Sequence, residues 1–433
     1  MNTVNRSQSV SKTTRLIWFA YFVALTVWGL LSYASLVQFL QENRLFALSM
    51  DGRPYVCDFV NSYNAALLAG RAGRDGVAIY DPKVQAESLA RLVHPVVPEL
   101  PFYLQYPPYF WVIMRPLAWF DLTGAWLAYC LVTGLFLLAA LFVLVARKLD
   151  GQAARAMAMA AVLASYPAWL SFRLGQVSLL VFPLLALYWI MLASRRSGWA
   201  GAAAAIMCIK LQYAPVLLVV GVIVGRLGFL TGFASTMLTM VAVSIVTLGW
   251  ANVSVYPSAL LAGETSARVS GVQAVLMQNV RGALELVTGG GGNLVTGTSV
   301  LALVVVAIWV ACVWLRIVRS GRDAAAFEQG ASLTTLALLV SSLHTHVQDY
   351  LMAAIPCLWL YASSSSANGI WREGKVLRAL IIAFPALSWV FFLLTPLFLL
   401  ARIQPYFLWA VVVMYLAYRL LERRLKSAAD SPT

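Results

Sequence analysis

From Leu16 to Leu40 the chain carries no charged residue, and apolar runs of similar character recur along its 433 residues. This feature constrains the fold more than any other. A helix needs roughly 20 apolar residues to cross a bilayer's hydrocarbon core, so these runs predict a polytopic, all-α membrane protein. Composition agrees. Hydrophobic residues make up 61% of the chain and charged residues 11%, with a mean hydropathy of +0.80. Too little polar surface is available to cover a soluble globule of this size.

Spans are expected at Leu16–Leu40, Ala125–Val145, Ala156–Phe172, Val177–Leu192, Leu230–Trp250, Val300–Leu315, Ala331–Leu343, Tyr350–Tyr361, Leu380–Leu400 and Tyr406–Leu420. The first follows Arg6, Lys12 and Arg15 and lacks a small-residue cleavage site, so it reads as an uncleaved span. The run Ala200–Gly225 is too long for one ordinary span and holds Lys210 near its middle, followed by Pro215. It is expected to form two short or broken helices meeting near Lys210. That gives about twelve spans in one integral membrane domain, 1–433.

The net charge of +14 does not point to nucleic acid, because its distribution is one-sided. Nineteen of the 31 lysines and arginines fall in loops on one side, among them Arg147, Arg195, Arg226, Arg316 and Arg424, against six acids. The positive-inside rule makes that side cytoplasmic, with both termini there, in a multi-pass inner (plasma) membrane protein. The opposite, outer side holds two large segments, 41–123 and 251–293. The first contains eight acids, including Glu42, Asp51, Asp58 and Glu99; the second contains Arg268, Arg281 and Gly289–Gly292, read as a flexible linker. Phe59–Leu68 reads as amphipathic, with Asn61 and Asn64 on its polar side. Gln105–Phe120, interrupted by Pro107, Pro108 and Pro116, reads as an interfacial or re-entrant helix. Together these helices would roof a cavity.

Charges against such a cavity need a partner or a task. Asp58 is either a helix N-cap or a general base that removes a proton from a hydroxyl, and one residue can do both. Arg173 and Gln176 lie in an outer turn, where Arg173 either snorkels to the interface or meets an anion such as a lipid phosphate. Lys210 is either a buried partner of a helix carbonyl or a site residue. His344 and His346 share one outer turn with Asp349. Their i, i+2 spacing does not put both on one helix face, so one is expected to point at the cavity. No metal motif is expected. The five cysteines show no paired spacing for a disulfide framework or zinc site.

In order, the chain presents "CDFVNSY" around Asp58, "GVAIYD" at Gly76–Asp81, "YPP" at Tyr106–Pro108 with "PLA" after it, "RLGQ" at Arg173–Gln176, "KLQ" at Lys210–Gln212, and His346 through Tyr350. This order resembles glycosyltransferase family 87, whose members have the GT-C membrane fold. The resemblance implies inverting transfer of a sugar, with mannose expected, from a polyprenyl-phosphate donor to a lipid or glycan acceptor on the outer side, with no cofactor or metal. It implies that Asp58 is the general base and that Arg173, Gln176, Lys210 and His344 or His346 bind the donor phosphate. Tyr63, Tyr106 and Asp349, from the same motifs, would bind substrate. Three rivals remain at this point. One is a secondary transporter or flippase, which would also use broken helices. The others are a polymerase or ligase of lipid-linked glycans and a non-catalytic polyprenyl-lipid binder.

Overall fold

The computed structural model describes residues 12–41, 46–48, 54–56, 58–94, 106–265, 276–290, 292–321, 323–365 and 372–429. Arg6, Glu42, Asp51, Cys57, Glu99, Gln105, Arg268, Arg322 and Asp430 lie outside the described residues. The chain opens with α1 (Lys12–Gln41), followed by a hairpin of β1 (Phe46–Leu48) and β2 (Pro54–Val56), antiparallel with Phe46 opposite Val56. A short-helix layer follows: α2 (Asp58–Asp75), α3 (Pro82–Val93), α4 (Pro108–Met114) and a 3₁₀ turn, Arg115–Trp119. Next come α5 (Leu122–Ala146), α6 (Gln152–Leu163), α7 (Tyr166–Leu174), α8 (Ser178–Ala193) and α9 (Ser197–Met207). A 3₁₀ segment, Cys208–Tyr213, leads into α10 (Ala214–Leu248), α11 (Trp250–Ser254), α12 (Tyr256–Thr265) and α13 (Val280–Thr288). The chain ends with α14 (Asn293–Arg319), α15 (Ala324–Ser341), a 3₁₀ segment Val347–Ala353, α16 (Ala354–Ser365), α17 (Arg372–Leu393), α18 (Thr395–Leu400) and α19 (Pro405–Ala429).

Among the described residues six helical stretches are long and apolar enough to cross a membrane: Leu16–Val37, Leu122–Ala146, Ser197–Leu248, Asn293–Arg319, Glu373–Leu393 and Pro405–Ser427. Helices α6 and α8 are apolar but shorter. The chain is a multi-pass helical membrane protein. Its lipid-facing side chains include Leu131, Phe136, Leu238, Val246 and Leu301, all more than half exposed. Helix α8 runs through the core instead, with Phe182, Leu185, Tyr188 and Trp189 buried. Its polar ring atoms are satisfied: Trp189 Nε1 donates to Thr335 Oγ1 at 3.1 Å and Tyr188 Oη to the Leu217 carbonyl at 2.7 Å.

The long stretch Ser197–Leu248 is not one rod. Its backbone leaves helical geometry at Lys210 (φ −104°, ψ 82°) and again at Arg226 (φ 52°, ψ −141°). The chain therefore runs up α9, breaks at Lys210 and returns along the first part of α10. Gly225 and Gly228 then lie against Ser197, where the excursion began. After Arg226 the second part of α10 packs on α9, with Gly201 against the backbone of Phe229 and Phe233. Only glycine lets two helices in lipid approach so closely. The expected broken pair about Lys210 is thus present.

Other expectations need correction. Ala156–Phe172 is not one span: Ser165 and Pro167 divide it into α6 and α7, and the Tyr166 amide donates to Ser388 Oγ at 3.0 Å. Pro167 sits in the first turn of α7, where a missing N–H costs nothing. Leu380–Leu400 divides at Leu394 into α17 and α18. Helix α2 is not amphipathic in the expected sense, because Asn61 and Asn64 are both buried. Asn64 is covered by α3: its Nδ2 donates to the Gln85 carbonyl at 3.1 Å, and its Oδ1 accepts from Ser88 Oγ at 2.6 Å. Helix α4 presents Ile113 outward but buries Tyr109, Phe110 and Trp111. Gly289 is no loose linker residue; at φ 78° it caps the C-terminus of α13.

Candidate functional site

The site begins at a helix end. Helix α7 finishes at Leu174, and Gly175 turns the chain with φ 59° and ψ 46°, a left-handed cap. The amide of Gln176 donates back to the Ser171 carbonyl at 2.8 Å. Gly175 lies directly on Phe59, and a methyl group added to it would fall 2.6 Å from Phe59 Cβ. Glycine here serves both conformation and approach. The result brings the next side chain to the head of α2: Gln176 Nε2 donates to Asp58 Oδ2. Tyr129 Oη holds the Gln176 carbonyl at 2.9 Å. Asp58 occupies the first turn of α2 and is half-buried. The positive end of a helix favours an ionised carboxylate there.

Two residues beyond Gln176, Ser178 starts α8 and belongs to a second cluster. Its hydroxyl donates to Asp349 Oδ1 at 2.5 Å. The same oxygen receives Lys210 Nζ, which also lies 3.3 Å from Ser178 Oγ. The His346 amide donates to Asp349 Oδ2 at 3.1 Å. The side chains of Lys210 and Asp349 are 8% and 0% exposed, so the pair is desolvated. Burial opposes ionisation of Asp349, but the Lys210 charge and the bonds from Lys210 and Ser178 outweigh it and hold the carboxyl below its ordinary value. Tyr106 lies within electrostatic reach of both clusters. Burial raises its phenol, and both the Asp58 and Asp349 carboxylates raise it further, so its hydroxyl stands within the field of each.

The segment before α13 closes the site from another side. Met277 bridges to His346, and the Gln278 amide donates to the Thr345 carbonyl at 2.7 Å. Asn279 Nδ2 donates to the Ser342 carbonyl at 2.7 Å. This brings Arg281 Nη1 within 3.5 Å of His344 Nε2, while Arg281 Nε meets Glu285 Oε1 at 3.1 Å. Gln212, two residues past Lys210, donates to the His344 carbonyl at 3.1 Å. The two histidines therefore face different neighbours, His344 beside Arg281 and His346 beside Asp349. Burial pulls the His346 imidazole down to about 4; Asp349 opposes this, and Lys210 and His344 reinforce it.

Asp58, Gln176, Lys210, Tyr106, His346 and Asp349 are thus gathered at one end of the bundle. Arg173 is half-buried, with its guanidinium 5.2 Å from the Trp169 ring centre. Tyr63 is taken up in packing, its hydroxyl donating to the Phe120 carbonyl at 2.6 Å. The sequence reading missed Ser178 and the pairing of Arg281 with Glu285, and it carried Gln212 only as part of a motif, without a role. Ser178 had a signal, a polar residue two after Gln176 at the head of an apolar run. Arg281 had only its place in an outer segment.

Chemically, the site offers a half-buried carboxylate held by a neutral amide, a buried ammonium already balanced by a carboxylate, and a guanidinium and two imidazoles nearby. It can accept a proton at Asp58 and receive an anion on its basic side. Among the described residues no three His, Cys, Asp or Glu side chains converge as metal ligands. A sequence-family profile, glycosyltransferase family 87, matches residues 103–342, just over half of the chain. That stretch includes Tyr106, Arg173, Gln176 and Lys210. No curated protein and no solved structure matches the chain.

Proposed function

The chain belongs to glycosyltransferase family 87, and we propose that within it the protein is an inverting transferase of GT-C architecture. It moves a sugar, mannose in the first instance, from a polyprenyl-phosphate donor to a hydroxyl of a lipid or glycan acceptor. The reaction takes place at the periplasmic face of the inner membrane, in the cell envelope. The acceptor oxygen attacks the anomeric carbon while the bond from that carbon to the phosphate oxygen breaks. The acceptor proton passes to Asp58, and the electron pair leaves with the polyprenyl phosphate. Asp58 is suited to this as a general base because the Gln176 amide orients it without neutralising it. Lys210 and Arg173 supply the positive charge on the side where the leaving phosphate rests, and His346, neutral near pH 7, offers it an imidazole hydrogen bond; preorganised groups of this kind stabilise the phosphate as it departs. Tyr106 and Asp349 line the space between. His346 is the histidine assigned to the phosphate, because it neighbours Lys210 and Asp349.

The observation that carries this reading is the placing of two carboxylate centres side by side, Asp58 with Gln176 and Asp349 with Lys210 and Ser178, where Gln176 and Ser178 are two residues apart in one turn. The test supplies purified protein with a panel of polyprenyl-phosphate sugars and the matching nucleotide sugars, with a membrane lipid extract as acceptor. Transfer from a polyprenyl-phosphate sugar alone, with inverted anomeric configuration by NMR, is expected. Transfer only from nucleotide sugars, or retention of configuration, would overturn the donor or the mechanism. Binding of the whole donor panel without transfer would favour a carrier of lipid-linked sugars.

A further inference from the structure

A cavity lies at the far end of the bundle. It has a volume of about 440 Å³ and is lined by Leu192, Arg195, Ser197, Ile223, Val224, Gly225, Arg226, Val318 and Gly321. Helix α8 begins at Ser178 in the site and ends at Ala193, so at 1.5 Å per residue the cavity lies about 24 Å away. It therefore belongs to neither carboxylate centre.

Three features specify what this cavity takes. First, it sits at the level of a span end. Val318 and Gly321 flank the last residue of the 27-residue helix α14, where a bilayer's headgroups meet water. Second, its lining is divided: Leu192, Ile223, Val224 and Val318 are apolar, whereas Arg195, Arg226 and Ser197 are polar. Third, the guanidinium groups of its two arginines have no hydrogen-bond or ion-pair partner among the described residues. Of the other basic residues at this end, Lys148 pairs with Glu328, Arg316 with Glu422, Arg423 with Glu373 and Arg424 with Asp323, while Arg196 and Arg319, like the cavity's pair, have no carboxylate partner among the described residues. Arg195 and Arg226 are also two of the three non-glycine residues with positive φ among the described residues, at 58° and 52°. Arg226, with ψ −141°, occupies a region used almost only by glycine. A glycine would be more relaxed at either position, so an arginine stands there at a backbone cost.

We propose that this cavity binds the phosphate headgroup of an anionic phospholipid from the leaflet at this face. The two guanidiniums would take the phosphodiester oxygens, and the apolar wall would accept the first part of an acyl chain. A freely dissolved phosphate would use the arginines but gain nothing from that wall. The cavity is also the base of the excursion that carries Lys210, since Ser197 starts α9 and Val224 and Gly225 end the return. A bound headgroup would therefore brace the two helices whose tip enters the candidate site.

The test uses the full chain in mixed micelles with phosphatidylglycerol or phosphatidylcholine, read by native mass spectrometry and thermal shift, with inorganic phosphate in a separate arm. Wild type is expected to retain phosphatidylglycerol in preference to phosphatidylcholine. Arg195→Gln with Arg226→Gln should weaken that retention on the order of tenfold. The charge-matched control, Lys375→Ala with Lys426→Ala, should retain it. Arg195→Gly with Arg226→Gly suits the backbone at both positions and gives the same readout should the glutamine pair fail to purify. Equal phosphatidylglycerol retention by wild type and an arginine-deficient variant would overturn the proposal. So would arginine-dependent stabilisation by inorganic phosphate with no preference for phosphatidylglycerol, which would make this a soluble-anion site.

Discussion

Removing one partner of the Lys210–Asp349 pair tests the geometry of the site most stringently. At an ordinary ion-pair separation of about 3 Å and an effective dielectric of about 20, Coulomb's law gives the attraction as roughly 5 kcal/mol. Both side chains are desolvated, so little of this is screened by water. Lys210→Met leaves the Asp349 carboxylate with only the Ser178 hydroxyl and the His346 amide, and Asp349→Asn leaves a buried ammonium. Each is expected to cost about 3–5 kcal/mol, the usual penalty for an orphaned buried charge. The neutral double variant, Lys210→Met with Asp349→Asn, has no orphaned charge and should be no less stable than either single one. That amounts to a non-additivity of at least ~3 kcal/mol. Unfolding in mixed micelles, followed by tryptophan fluorescence at pH 7, measures all four corners of the cycle. Additive losses, or single-variant losses under about 1 kcal/mol, would refute the desolvated pair. Sugar transfer by the same proteins separates stability from chemistry, since the stable double variant should still be inactive if Lys210 supports the leaving phosphate.

Three further outcomes follow from the geometry. Gly175→Ala, at φ 59° and against Phe59, should cost about 1–2 kcal/mol for the left-handed conformation alone. It should also lower transfer by displacing Gln176 from Asp58, measurable as lost kcat in a protein that still purifies. Gln176→Leu leaves Asp58 without its amide donor and should reduce kcat on the order of 10- to 100-fold at unchanged fold, read by transfer assay and circular dichroism. Because the folded-state pKa of His346 is depressed to about 4 from 6.5, the unfolded chain binds more protons between those values. The stability from keeping His346 neutral is full above pH 6.5 and is lost as pH falls towards 4, by at most about tenfold in the unfolding constant per pH unit. His346→Gln should flatten that slope in pH-dependent thermal unfolding, and an unchanged slope would show that the proton goes elsewhere.

Lys210 shows how much of this architecture was legible in the sequence. Its run was too long for one span and carried a proline five residues on, so the break could be placed. Its partner could not, because Asp349 lies 139 residues away and no local pattern encodes that contact. The same holds for Asp58 and Gln176, 118 residues apart. Each could be singled out as a costly charge or a polar break in an apolar run, but their meeting depends on the Gly175 turn landing on Phe59. Asn61 and Asn64 show the opposite failure. Polar residues at helical spacing predict a wet face only if nothing covers it, and α3 supplies Gln85 and Ser88 to cover Asn64. The break at Ser165 was hidden by composition, because Pro167 sits where a helix tolerates proline and the apolar run continues across it.

The central claim is that Asp58 takes the proton from the acceptor. The direct measurement is single-turnover transfer from synthetic polyprenyl-phosphate-mannose to a membrane lipid extract by wild type and Asp58→Asn, with EDTA present throughout. The account predicts transfer by wild type and a loss of roughly 10²- to 10⁴-fold in the variant, with donor binding retained. Equal transfer by the two proteins would contradict it and remove Asp58 from the chemistry.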